Sequence, residues 1–364
     1  MYICTFLITL LSFFMKIVKI VSLVCVWMFV LCSSYSQTDT LNRTDKFGKK
    51  YGHWEMYEKG KLLWKSIFYN GEPVGAFVYY YPDKKVKDSL YYFPNSPKVS
   101  SVSYYSNGKK MSEGMFINKN KDGKWLYYNA SGKVIAEENY VLGKKQGIWK
   151  TFSAENGLVL QEETWDNDKL NGEYKEYYTT GDLRVKWYYK NGKIDGNYEG
   201  YYLSGQVWNK GQYVAGLREG TWINYDRDGN ELKIEEFTRE HVTRTILGFK
   251  TPAQWQKLDA TLIAYFYQTP GGTIFIQLWN GKKIMLDEKN SLTNISNTAG
   301  TELFIPINEN ILSSYEAIRK ITEIEEDEAE VKLKPEPSFK VYTYGDYYKM
   351  LKALNNTEPP KGNE

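Results

Sequence analysis

The chain has 364 residues, enough for two domains, and its 47 basic and 44 acidic residues nearly cancel, leaving a net charge of +3. Such a balance argues against a dedicated nucleic-acid-binding protein, which needs a strongly basic surface. The aromatic content of 16%, with 32 tyrosines and 11 tryptophans, is the composition's unusual feature, and the fold has to account for it.

Residues 1–36 have the pattern of a secretory signal peptide. Lys16 and Lys19 precede an apolar run over residues 20–31, and Ser34-Tyr-Ser36 fits a cleavage site with small residues. The sequence therefore predicts export across an inner membrane to the periplasm, the outer surface or the medium. An uncleaved membrane anchor is the competing interpretation.

All three cysteines, Cys4, Cys25 and Cys32, lie in this leader. The mature protein would then contain neither disulfides nor thiol chemistry. The start codon stays open between Met1 and Met15, because residues 1–14 carry no charge.

After a linker over residues 37–47, residues 48–240 contain eight copies of one pattern, with a period of about 24 residues. The copies start at Gly52, Gly75, Val99, Gly123, Gly147, Gly172, Gly196 and Gly220. An aromatic residue stands at the second position after most starts: Trp54, Phe77, Trp125, Trp149, Tyr174, Tyr198 and Trp222. Another stands at the fifth position: Tyr57, Tyr80, Tyr104, Tyr128, Phe152, Tyr177, Tyr201 and Tyr225.

Each copy is predicted to be a β-hairpin. Dipeptides such as Asn107-Gly108 and Asp228-Gly229 supply the positive φ of tight turns, and the flanking runs are rich in Tyr, Trp, Val and Ile. Second- and fifth-position aromatics differ in parity, so a regular strand points them to opposite faces. Either both faces carry aromatics or a bulge realigns them.

The pattern Gly-x-Trp-x-x-Tyr…Gly-Lys…Tyr-x-x-Gly-Lys-x-x-Gly resembles MORN repeats, most of all the divergent bacterial form called antitoxin-like. The resemblance covers about half the chain and departs from the pattern in the second and third copies. It implies an elongated antiparallel sheet of hairpins used for protein or lipid contact, and it brings no catalytic residues.

The predicted fold class is therefore mainly β: an elongated single-layer antiparallel sheet of about eight stacked hairpins, then a small α+β module over residues 241–354 and a disordered tail, 355–364. Within the module we predict helices over 252–258, 311–324 and 346–354. We predict strands over 261–267, 273–278, 282–286 and 339–344, and a polar loop over 291–300.

No residue pattern indicates catalysis, a metal site or a cofactor. The two histidines, His53 and His241, are far apart and lie in no ligand-spaced motif. Acidic segments such as Asp226-Arg-Asp228 coincide with repeat turns, where Asp and Asn serve the backbone. We expect a protein that is not an enzyme.

The candidate binding surface combines aromatic and basic residues of the repeats. It comprises Trp54, Trp125, Trp149, Trp222, Tyr79, Tyr127, Tyr178, Tyr202, Lys121, Lys144, Lys145, Lys169, Lys193 and Arg218. Exposed rings could stack on a protein or a glycan, and the basic residues recur at the turns between copies. The plainer interpretation is that the tyrosines cover a second sheet face and the lysines guard sheet edges against aggregation.

We expect a non-enzymatic exported protein of a bacterial cell envelope that acts as a scaffold for protein partners. One alternative is a binding module for envelope polysaccharide or anionic lipid. Another is an antitoxin-like protein that masks a toxin. Nucleic acid is not an expected partner.

Overall fold

A computed structural model of the protein describes residues 41–356. The described residues form two compact units, one that ends at residue 109 and one that begins at residue 110, and the boundary falls inside the third repeat. The predicted leader, residues 1–36, lies outside the described residues, as does most of the predicted tail, from residue 357 on.

The described part of the first unit is an antiparallel sheet. Its strands are β1 (Arg43–Thr44), β2 (Lys50–Glu58), β3 (Lys61–Tyr69), β4 (Glu72–Tyr80), β5 (Val86–Tyr92) and β6 (Lys98–Tyr104). Each strand pairs with the next one along the chain, and β2–β3 and β4–β5 are the hairpins of the first two repeats.

The second unit begins with a longer antiparallel sheet built in the same way. Its strands are β7 (Lys110–Ile117), β8 (Asn120–Tyr128), β9 (Val134–Val141), β10 (Lys144–Lys145), β11 (Gly147–Phe152), β12 (Val159–Asp166), β13 (Lys169–Tyr177), β14 (Leu183–Lys190), β15 (Lys193–Ile194), β16 (Gly196–Tyr201), β17 (Val207–Val214), β18 (Leu217–Tyr225), β19 (Glu231–Thr238), β20 (His241–Lys250) and β21 (Trp255–Asp259). The hairpins β8–β9, β11–β12, β13–β14, β16–β17 and β18–β19 are repeats four to eight. The prediction of a mainly β chain of antiparallel hairpins is confirmed.

The two aromatic columns lie on opposite faces of the sheet. In the hairpin β16–β17, Gly200 pairs with Asn209 while Tyr201 pairs with Val207, so Trp208 is an extra residue on the second strand. The same one-residue bulge recurs at the fifth-position aromatic of repeats one, two, four, five, six and eight. Because the extra residue is on the second strand, the side chains of the first strand alternate regularly between the two faces. We call the face of the second-position rings the aromatic face and the other one the charged face.

The sheet continues past the last repeat, since β20 pairs with β19 and β21 pairs with β20. The helix predicted from Pro252 is therefore wrong, and the segment Trp255–Asp259 is a strand. Its Trp255 indole donates to the Glu231 carbonyl at 3.2 Å and packs against Gly248, so contacts with β20 and β19 override the local helix signal.

The rest of the second unit is a small α+β region, as predicted. Its strands are β22 (Ile263–Gln268), β23 (Ile274–Leu278), β24 (Lys283–Met285), β25 (Ile305–Asn308), β26 (Ile311–Ser313), β27 (Ile318–Glu325), β28 (Glu328–Leu333) and β29 (Tyr342–Tyr344). Its helices are α1 (Leu292–Ala299) and α2 (Gly345–Asn356), with 3-10 turns at Ala260–Leu262 and Tyr315–Ala317.

Strand β22 separates two cores in this region. Phe266 points into one core with Ile276, while Tyr265 points into the other with Ile307 and Leu351. Strands β24-β23-β22-β26-β25 form one sheet in that order, and β27-β28-β29 form a second. The predicted strands at 261–267, 273–278, 282–286 and 339–344 and the predicted helix at 346–354 are confirmed as β22, β23, β24, β29 and α2.

Two other predictions for this region are wrong. The supposed loop 291–300 contains α1, which Ser291 caps by accepting from the Asn294 amide, and which buries Leu292, Ile295 and Ala299. The supposed helix 311–324 is mostly strand. Its isoleucines recur every three residues, as on a helix, but a bulge after Ile318 brings Ile318 and Ile321 onto the same core.

Gly211→Ala is expected to destabilise the repeats of the second unit by about 1–3 kcal/mol. A Cβ at this position would lie 2.1 Å from the Trp222 ring, so the ring has to move. Denaturant unfolding followed by tryptophan fluorescence measures the change. Gly271→Ala is the control, because the nearest atom to its added Cβ is 4.0 Å away. Equal midpoints for the two variants would contradict the packing argument.

Candidate binding surfaces

The second-position rings form a packed ladder on the aromatic face. In the second unit Trp149 lies 5.6 Å from Trp165, and Trp222 lies 4.9 Å from Tyr213, between ring centroids. Edge-to-face and tilted contacts of this kind add to the stability from burial.

The four candidate tryptophans differ in exposure. Trp125 and Trp222 are only 4% and 6% exposed, whereas Trp54 and Trp149 are half-buried. The Trp125 ring lies against Gly114 and its indole donates to the Met115 carbonyl at 3.1 Å. The expectation of exposed rings is therefore wrong for Trp125 and Trp222, which pack inside the ladder instead.

Three candidate cations fold back onto the same rings. Lys145 Nζ lies 4.3 Å from the Trp149 centroid and 4.0 Å from that of Trp165. Lys121 and Arg218 stand two residues before their repeat starts, as Lys145 does, and they cover Trp125 and Phe237 at 4.8 and 4.1 Å. These side chains stabilise the ladder by cation–π attraction.

The other candidate lysines, Lys144, Lys169 and Lys193, are exposed at the turns between repeats. We call these turns in the second unit the turn edge. It comprises residues 141–144, 166–169, 190–193 and 214–217. The six candidate basic residues, all expected at the turns between copies, are thus divided between the aromatic face and the turn edge.

Each of these turns is hydrogen-bonded to the turn before it. Gly216 donates its N–H to the Ile194 carbonyl at 2.7 Å, and the Ala215 N–H donates to an Asp195 carboxylate oxygen at 3.0 Å. The same pair of bonds recurs along the second unit. The side-chain acceptors stand one residue before each repeat start: Asp122, Gln146, Asn171, Asp195 and Glu219. None of these acceptors was among the candidate residues predicted from the sequence, although every member of the column bears a side-chain oxygen.

Tyr178 and Tyr202 also join neighbouring repeats. Their hydroxyls donate to the carbonyls of Tyr201 and Tyr225 at 2.7 and 2.8 Å, in each case 23 residues further on. Tyr81 makes the same bond to the Tyr104 carbonyl in the first unit. These tyrosines serve to hold one hairpin against the next.

Tyr79 and Tyr127 belong to the aromatic face and are half-buried. Tyr79 stacks on Phe77 with 4.9 Å between centroids, and the Lys121 ammonium donates to the Tyr127 hydroxyl. Burial raises the pKa of Tyr127 above its ordinary value, so this hydroxyl stays protonated at neutral pH.

The charged face carries cross-strand ion pairs among the fifth-position tyrosines. Lys150 pairs with Glu162 and Lys186 pairs with Glu199, both at 2.7 Å. The Lys186 ammonium and then the Tyr201 hydroxyl hold the pKa of Glu199 below its usual range. The charges of this face are thus already paired with one another.

Residues 41–356 contain no group of three or more His, Cys, Asp or Glu side chains that could hold a metal ion. In the same range no helix is long and apolar enough to cross a membrane.

The family model described as MORN repeat variant matches residues 100–118, 121–141 and 170–191. The chain contains MORN repeats. All three matches fall on hairpin strands of the sheets described above. MORN repeats commonly bind proteins or lipids, so this part of the chain has the character of a binding module.

Other comparisons add little. No curated protein matches the chain. The LytTr DNA-binding domain of a putative methyl-accepting/DNA response regulator from Bacillus cereus is similar at 12% identity, over 31% of this chain and 97% of that one, with a TM-score of 0.26. The structure of TcdB2-TccC3-TEV is similar at 11% identity, over 65% of this chain and 15% of that one, with a TM-score of 0.18. Scores this low carry no argument about fold or function.

Tyr202→Phe is expected to lower the free energy of unfolding of the second unit by about 1 kcal/mol, because the Tyr225 carbonyl loses its side-chain donor. Tyr188→Phe is the matched control, since its exposed hydroxyl is 3.4 Å from Glu173. Denaturant unfolding compares the two, and a larger loss for Tyr188→Phe would contradict the proposed role.

Acid is expected to weaken the charged face. Lys110 and then Tyr128 hold the pKa of Glu113 below its usual range, as Lys186 and Tyr201 do for Glu199. A carboxyl whose folded pKa is depressed stabilises the fold above its unfolded value of about 4.3, and that stability is lost as pH falls through the folded pKa. Replacing Glu113 and Glu199 by Gln should therefore flatten the decline in unfolding free energy below about pH 4. An unchanged pH profile would exclude these two groups as its source.

Proposed function

We propose that this chain is a non-enzymatic, exported scaffold of a bacterial cell envelope, and that its MORN repeats bind a protein partner through the turn edge. One observation carries the proposal. Val141, Leu142, Val214 and Leu217 stand at the turn edge with 54%, 56%, 47% and 44% of their surfaces exposed. Exposed apolar groups with polar neighbours are typical of interaction sites.

The two sheet faces support this choice because much of each is already used internally. Trp125 and Trp222 are buried in the ladder, and Lys121 and Arg218 lie over rings. On the charged face, the lysine and glutamate charges neutralise one another in ion pairs. The turn edge, by contrast, offers exposed aliphatic side chains in its first and last turns.

The charges of the turn edge favour a protein over an anionic bilayer. Lys144 and Lys193 are separated along the edge by exposed Asp166 and Asp168, which interrupt the basic row. A bilayer surface attracts an uninterrupted basic cluster, whereas a protein partner can match charges of both signs.

Export and the envelope location rest on the leader over residues 1–36. The absence of catalysis rests on the lack of any recognised catalytic motif in the sequence. The antitoxin-like alternative predicts a neighbouring gene that becomes toxic when this one is deleted.

A photo-crosslinking amino acid placed at Leu142 or at Leu217 in the source cells tests the proposal. Both positions are expected to give the same discrete protein adduct, because the partner would span the turn edge from its first turn to its last. Thr180 is the matched control position, since it is exposed at a hairpin turn on the other edge of the same sheet.

The double variant Leu142→Asp, Leu217→Asp should lower recovery of that adduct partner at least tenfold, while surface substitutions of this kind change stability by about 0.5 kcal/mol or less. Asp also tolerates the positive φ of 47° at residue 142. Equal adducts at Thr180 would refute the turn edge as the docking surface, and adducts with lipid alone would favour the bilayer alternative.

A further inference from the structure

A pocket of about 410 Å³ adjoins the ladder of the aromatic face in its last two repeats. Tyr198, Tyr213 and Trp222 line it together with polar side chains of Asn209, Asn224, Arg218, Glu235 and Glu240. Its volume is in the usual range for small-ligand sites, roughly 300–1,000 Å³.

At this pocket two asparagines face each other on the aromatic face. In the first unit the corresponding cross-strand pair is Trp64 with Tyr79. Here Asn209 faces Asn224 in the same register. Gly211 on the neighbouring position has no side chain, and the Trp222 ring occupies the space above it. The short side chains of Asn209 and Asn224 leave a recess beside the Tyr198, Tyr213 and Trp222 rings.

One polar atom in this recess lacks a partner. The Asn209 amide nitrogen donates to the Asn224 side-chain oxygen at 3.1 Å, but Asn209 Oδ1 is buried and accepts no hydrogen bond from any described residue. The pair thus presents one acceptor and the remaining Asn224 amide donor. Exchanging O and N in both amides still leaves one of each. A buried polar group without a partner is costly, which points to a ligand group that supplies the bond.

The charges around the recess cancel. Glu240 pairs with Arg218 at 2.7 Å, and Glu235 pairs with Lys233 at 2.9 Å, with Lys233 itself buried. A charged ligand would add an unbalanced charge to a partly enclosed site, which is unfavourable. The carboxylates nevertheless keep free lone pairs that can accept from hydroxyl donors.

From these observations we propose that the recess binds one residue of an uncharged saccharide. Sugar hydroxyls donate and accept at once, so they match the Asn209 acceptor, the Asn224 donor and the carboxylate lone pairs. The half-buried Tyr198 and Tyr213 rings, 6.0 Å apart between centroids, provide the apolar walls against which the C–H face of a sugar ring packs. This site is separate from the turn edge and does not depend on the protein-scaffold proposal.

Calorimetric titration of the mature full-length chain with three neutral disaccharides, cellobiose, maltose and N,N′-diacetylchitobiose, tests the site. At least one should bind with a Kd of about 1 mM, in keeping with a single shallow subsite. Asn209→Leu should raise that Kd at least tenfold. Gln161→Leu is the matched control, because Gln161 occupies the corresponding position two repeats earlier and faces Glu176. It should leave the Kd unchanged.

Several results would overturn the proposal. They are no binding of any of the three disaccharides, equal losses for Asn209→Leu and Gln161→Leu, or tighter binding of a blocked alanine dipeptide, which would make the ligand an amide. Asn209→Ala, which removes the acceptor without adding bulk, replaces Asn209→Leu if the latter fails to fold, with the same expected loss. The Leu142→Asp, Leu217→Asp variant should keep sugar binding, so failure of one proposal is distinguishable from failure of the other.

Discussion

Contact between the aromatic rings of neighbouring strands holds the repeats together. A lone hairpin is marginally stable in water, and each copy here has only one strand pair of its own. Rings such as Trp149 and Trp165 bury one another across strands, and the cation of Lys145 covers both. The large aromatic content of the chain is thus explained by the cohesion of a sheet whose units cannot stand alone.

This requirement decides which surfaces are available for recognition. Most second-position rings are packed inside the ladder, and the hydroxyls of Tyr178 and Tyr202 make hydrogen bonds to the next repeat. What is left is the turn edge, where Leu142 and Leu217 are exposed, and the recess that contains the unpartnered Asn209 side-chain oxygen. The two proposed recognition sites thus lie at positions that the repeating contacts between hairpins do not use.

The sequence was informative where a single local rule decides the structure. Glycine columns and their spacing predicted the hairpins correctly, because positive φ at a turn is a strong constraint. Sequence could not tell whether Trp125 would be exposed, since its burial depends on Gly114 in the adjacent strand. It also failed at Ile318 and Ile321, where a bulge imitates helical spacing, and at α1, whose polar residues concealed three buried positions. In each case the deciding contact comes from another strand or segment.

The hydrogen bonds between turns have a direction. In the recurrent pair of bonds the donor N–H belongs to the later turn and the acceptor to the earlier one, as with Gly216 and Ile194 or Ala215 and Asp195. Two further bonds run the other way, from the Lys145 and Arg218 N–H groups to Asp168 and Glu240. Ribosomes deliver a chain from its N-terminus, so the acceptors of the recurrent pair are made before their donors. A growing chain could therefore add hairpins one at a time, each onto a hairpin that has already folded.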